Sequence, residues 1–119
     1  MALRLNKPGA RRKPIGAARD PILRELADAL RERFGAHIRD IILFGSRARG
    51  DQEEGSDYDV MVLVDVKTAE MESEVFQLGC ELDFRHNVCT SVFVEEESLF
   101  DDREYEPLFI NVRREGIPL

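Results

Sequence analysis

Residues 45–59 read GSRARGDQEEGSDYD, and this stretch decides how the rest of the chain is understood. It is preceded by Ile41-Ile42-Leu43-Phe44 and followed by Val60-Met61-Val62-Leu63-Val64. A strand therefore ends at Phe44, a glycine turn and a polar loop follow, and a second strand spans Asp57 to Val64. Asp57 and Asp59 alternate along that strand, so their side chains share one face. Two carboxylates held on a rigid face suit a hard divalent cation such as Mg²⁺. The plain alternative is that they only cap the strand entrance. Gly45-Ser46 at the strand exit opens a short helix and presents backbone N–H groups and a hydroxyl to an anion. Phosphate and metal ligands on adjacent strand ends together fit a nucleoside triphosphate with its magnesium.

Outward from this stretch, the chain alternates helix and strand. Asp20-Pro21 is a helix start, with Asp as N-cap and Pro at the first helical position. Ile22, Leu23, Leu26, Ala27, Leu30 and Phe34 then form one apolar face, and Gly35 stops the helix. Ile41 to Phe44 is apolar without alternation, as in a strand buried on both sides. Arg47 and Arg49 diverge on the helical turn after Ser46; one is expected at the phosphates and the other on an acid such as Asp51. Asp51, Glu53 and Glu54 read as a solvated acidic turn, and Tyr58 as packing on the opposite face from the aspartates. Thr68 caps a long helix whose stripe is Met71, Val75, Leu78 and Leu82. His37 and His86 read as exposed. Val88 to Val94 is a third strand, Glu95 to Ser98 opens a short acidic helix, and Pro107 to Arg114 forms the last helix. Arg113 and Arg114 suit its C-terminal end.

The 119 residues suit one domain, with 43% hydrophobic and 34% charged residues. No apolar run approaches the ~20 residues of a membrane helix, and the basic N-terminus lacks the apolar stretch of a secretory signal. A cytoplasmic location is expected, with Cys80 and Cys89 as reduced, semi-buried thiols. The net charge of −7 is uneven. Residues 1–19 carry Arg4, Lys7, Arg11, Arg12, Lys13 and Arg19 and no acid, which reads as a flexible basic tail. Without those six, the other 100 residues hold 11 basic residues against 24 acids. Such an acidic body repels nucleic acid, leaving only the tail for that kind of contact.

Gly45-Ser46, ten residues and then Asp57-Tyr58-Asp59 resemble the Gly-Ser-x10-Asp-x-Asp signature of the DNA polymerase β-like nucleotidyltransferase superfamily. The wording GSRARG…SDYDV is similar to the minimal nucleotidyltransferases, the antitoxin half of HEPN–MNT toxin–antitoxin pairs. The resemblance covers residues 20–119. It implies the α/β nucleotidyltransferase fold, a small mixed sheet flanked by helices, preceded by the tail at 1–19. It implies Mg²⁺ held by Asp57 and Asp59, and ATP phosphates held by Gly45 and Ser46, with Arg47 and Arg49 as further candidates. It also implies AMP transfer to a tyrosine hydroxyl of a HEPN-type toxin. One departure stands out. Active members carry a third carboxylate on the third strand, and the matching region, Cys89-Thr90-Ser91, has none. A binding module that neutralises its partner by occlusion is therefore the alternative reading. Transfer to a small molecule, as in aminoglycoside-modifying enzymes, is a third, and would need a cleft shared between copies in a homo-oligomer.

Overall fold

The computed structural model describes residues 20–50 and 57–119. The basic segment and the acidic turn with Asp51, Glu53 and Glu54 lie outside the described residues. Helix α1, Pro21–Phe34, begins where Asp20 accepts hydrogen bonds from the N–H groups of Ile22 and Leu23. A 3₁₀ turn, Gly35–His37, leads into β1, Ile38–Phe44. The short helix α2, Ser46–Arg49, precedes β2, Tyr58–Val64. Helix α3, Ala69–His86, starts at Thr68, whose hydroxyl accepts from Met71 N–H. Strand β3, Thr90–Glu96, runs into α4, Glu97–Asp102. Helix α5, Pro107–Glu115, ends in the two-residue strand β4, Ile117–Pro118.

The sheet order is β3-β2-β1-β4. Strands β1 and β2 are antiparallel with Phe44 opposite Asp59, and β2 and β3 are parallel with Asp59 opposite Ser91. Side chains of β2 divide strictly by parity. Tyr58, Val60, Val62 and Val64 join Leu23, Leu26, Leu30, Val75 and Leu82 under α1 and α3. Met61 and Leu63 join Ile42, Phe44, Phe100, Phe109 and Val112 under α4 and α5. Both faces of the central strands are thus covered, which is why their sequences run apolar without alternation. Asp57 and Asp59 belong to the second face, just beyond the edge of its core.

Three expectations need correction. The third strand lies two residues later than Val88–Val94, so Glu95 and Glu96 are strand residues, and the acidic helix starts at Glu97. The reason is the cap of α3: Asn87 adopts a left-handed conformation (φ 56°), and the following residues are spent turning back to the sheet. Cys80 and Cys89 are exposed rather than semi-buried, because one faces outward on α3 and the other precedes β3 at the sheet's end. Strand β4, too short for any periodicity, was not expected at all. The histidines are exposed as expected: His37 pairs with Asp65 at 2.8 Å and His86 with Glu25 at 2.9 Å. Arg113 lies over the Phe100 ring and donates to its carbonyl oxygen at 2.7 Å. Among the described residues, no helix is long and apolar enough to cross a membrane.

Candidate active site

The site forms where β1 ends and β2 begins. Gly45 leaves β1 with φ 83° and ψ −160°, a backbone conformation essentially restricted to glycine. The absence of a side chain matters as much. A Cβ at Gly45 would lie 2.4 Å from Asp59 Oδ2 and 3.3 Å from its Cγ. The Gly-Ser turn and the carboxylate of Asp59 are therefore in direct contact, in an arrangement no larger residue permits. Ser46 is the first residue of α2, and its carbonyl accepts from Gly50 N–H at 2.9 Å. At the other end of the turn, Arg49 N–H donates to Gly45 oxygen at 3.0 Å.

Asp57, Asp59 and Cys89 meet on this side of the sheet. Desolvation raises the Asp59 pKa above the ordinary carboxylate value, and the charges of Asp57 and Glu115 add to the rise, while Arg49 opposes it. The negative charge of Asp57 holds the Cys89 thiol above its usual range, aided by desolvation and a hydrogen bond from the thiol to Asp57. Register explains the neighbourhood. Tyr58 N–H donates to Cys89 oxygen at 2.9 Å, and Ser91 lies opposite Asp59, so Cys89 and Ser91 flank the aspartates. Thr90 points the other way, under α3, where its Oγ1 lies 3.2 Å from a Cβ position at Gly79. The third strand thus presents a thiol and a hydroxyl to the site, and no carboxylate.

The two arginines diverge, as their spacing requires. Arg47 lies 4.0 Å from the centroid of the Tyr58 ring, on the face opposite the aspartates. Arg49 stays on the site side, where its Nη1 meets Glu115 Oε2 at 2.9 Å. The second oxygen of Glu115 accepts from Gly45 N–H at 3.1 Å. Glu115 is the site residue that sequence reading missed. The signal was β4: Ile117 lies opposite Leu43 in an antiparallel pair, and continuing that register sets residue 115 beside residue 45. Gly45, Asp57, Asp59 and Arg49 are brought together, Arg47 is not, and Glu115 joins them.

The donor set fits a divalent cation that brings part of its own coordination. Two neighbouring carboxylates, one with its pKa raised by desolvation and then by the charge of the other, gain most from a dication between them. Among the described residues, no group of three or more His, Cys, Asp or Glu is spaced to hold a metal. The remaining positions would fall to phosphate oxygens and water, the usual habit of magnesium.

Comparisons with known proteins place the chain in a family. The nucleotidyltransferase domain family matches residues 23–110. A Methanocaldococcus jannaschii protein named as a protein adenylyltransferase is 35% identical over 94 residues, covering 79% of this chain and 90% of its own. A second from that organism, with the same name, is 30% identical over 60 residues, 50% of this chain and 61% of its own. Among solved structures, a minimal nucleotidyltransferase is 28% identical with a TM-score of 0.52, over 82% of this chain and 92% of that one. A toxin–antitoxin structure with AMP-PNP shares the fold at 19% identity and a TM-score of 0.53, over 79% of this chain and 69% of that one. With the family matched over residues 23–110 and a relative at 35% identity, the chain belongs to the nucleotidyltransferase domain family and is a nucleotidyltransferase.

Proposed function

We propose that the chain transfers AMP from ATP to a tyrosine hydroxyl of a HEPN-type toxin and so acts as its antitoxin. The observation that supports this reading is the contact between Gly45 and Asp59, which sets the Gly-Ser turn directly against a carboxylate, as a phosphate site beside a metal ligand would require. Relatives named as protein adenylyltransferases support a protein acceptor, and the shared fold of a toxin–antitoxin structure supports the pairing.

In this reading Gly45 and Ser46 hold the β- and γ-phosphates, and Arg49, on the site side, adds a cationic donor near them. Asp57 and Asp59 would hold Mg²⁺, and the bound cation would supply positive charge to offset that developing on the phosphate and the departing pyrophosphate. The acceptor oxygen attacks the α-phosphorus in line. The bond to the pyrophosphate oxygen breaks, and the hydroxyl proton leaves to solvent or to a carboxylate. The test is incubation of the chain and its partner with ATP labelled at the α- or the γ-phosphate. Label in the protein from the α-position only, lost in Asp57→Asn, is the expected result. Label from neither position would overturn the reading.

One observation favours a second reading. Cys89, just before β3, and Ser91 on it flank the aspartates in place of an acid. If two carboxylates do not suffice, the chain neutralises its partner by occlusion alone. The Asp57→Asn/Asp59→Asn variant would then neutralise fully.

A further inference from the structure

Glu115 is a third carboxylate placed beside two others, an arrangement that costs electrostatic energy unless something offsets it. The offset is visible. One oxygen takes the Gly45 N–H at 3.1 Å and the other takes Arg49 Nη1 at 2.9 Å. Its side chain is only 18% exposed and the bond to Gly45 N–H is part-buried, while the Arg49 end of the pair is open to solvent. The two partners stand at opposite ends of α2: Gly45 is its N-cap and Arg49 its last residue. One carboxylate, at the last position of α5, therefore spans the four-residue helix that follows the phosphate-binding turn. It is carried there by β4, whose pairing with β1 is completed by Leu119 N–H donating to Ile41 oxygen at 2.8 Å.

Gly45 has just left the β1–β2 ladder, so its N–H needs a partner of this kind, and its unusual φ and ψ need restraint. A guanidinium on a flexible stem needs restraint as well, since immobilising it on ligand binding costs rotamer entropy. We propose that Glu115 is a positioning residue for the triphosphate: by holding Gly45 and Arg49 on one carboxylate, it fixes the turn and the cation in the arrangement that phosphates meet. This rests on the phosphate role of the Gly-Ser turn proposed above.

The test uses the full chain with Glu115→Gln and Glu115→Ala. Glutamine keeps the size and an acceptor for Gly45 N–H and loses the charge facing Arg49; alanine loses both. Binding of ATP with Mg²⁺ is measured by calorimetry, and transfer is measured as kcat and KM, with circular dichroism to check folding. Alanine is expected to weaken ATP binding and raise KM by about 10-fold, with a much smaller change in kcat, and glutamine to fall between it and the wild type. Should alanine fail to fold, glutamine carries the test. A merely structural role would lower Tm and leave KM per folded molecule unchanged, and that result overturns the proposal. Tighter ATP binding by the variants overturns it too, because the carboxylate would then be occupying the place of the phosphate. A wild type that binds no ATP overturns the phosphate role of the turn and this proposal with it, an outcome distinct from equal binding by wild type and variants.

Discussion

Tyr58 and Asp59 are consecutive residues of β2 and present polar groups to opposite faces of one sheet. Tyr58 is surrounded by complementary partners: its hydroxyl donates to Asp20 Oδ2 at 2.8 Å, and the Arg47 guanidinium lies over its ring. Burial and the Asp20 hydrogen bond push its pKa to about 12. At Asp59 desolvation raises the pKa first, the like charges of Asp57 and Glu115 raise it further, and Arg49 opposes them. One face uses a polar group to secure the fold, since Asp20 both caps α1 and receives Tyr58. The other keeps like charges together, which destabilises a fold and suits a site that binds a cation. The difference is what makes the Asp59 face the candidate functional face.

The contrast can be broken most severely at the aspartates. Asp57→Asn or Asp59→Asn is expected to lower transfer by about 10²-fold or more, because several kcal/mol of charge stabilisation go with the metal. Steady-state labelling of the partner measures this, and the fold should persist by circular dichroism. Next comes Gly45→Ala. Its φ of 83° and the 2.4 Å approach to Asp59 Oδ2 leave Asp59 no choice but to rotate away. The backbone cost is about 1–3 kcal/mol, read from chemical denaturation, and transfer should fall even in the folded fraction.

The opposite face gives smaller effects. Tyr58→Phe removes one hydrogen bond and leaves Asp20 with a lost donor, a cost of about 1 kcal/mol, with transfer per folded molecule retained. Because the folded pKa of Tyr58 is raised, its contribution is fully present below pH 10 and is lost as pH rises toward 12. The wild type should therefore lose stability over that window, and Tyr58→Phe should lose less. The smallest effect has the opposite sign. Asp59→Asn should stabilise the fold at neutral pH, by less than about 1 kcal/mol after solvent screening. The folded pKa of Asp59 is raised, so ionisation disfavours the folded state as pH rises above the ordinary value of 3.8. The gain in the variant should accordingly vanish in acid and appear as pH rises, measured by Tm across that range.

Much of this was legible in the sequence because it rests on local rules. The Asp20-Pro21 cap, the stripe of α1 and the alternation of Asp57 with Asp59 each depend on residues within a few positions of one another. Tyr58 could be assigned to the other face by parity alone. Non-local features could not be read. Strand β4 has two residues, so no period exists to detect, yet its register delivers Glu115 to Gly45 across 70 positions. The divergence of Arg47 and Arg49 was visible, but which of them stays with the aspartates depends on the ring of Tyr58 and the carboxylate of Glu115. The start of β3 was misplaced because the left-handed Asn87 is a backbone event that a run of apolar residues does not report.

The central claim is that Asp57 and Asp59 support nucleotidyl transfer with no acid beside them at Cys89, Thr90 or Ser91. The direct measurement is the intact mass of the proposed partner co-expressed with this chain, and separately with Asp57→Asn/Asp59→Asn. The account predicts a gain of one AMP, localised to a tyrosine, with the wild type only. An unmodified partner in a stable, neutralised complex with both chains would contradict it.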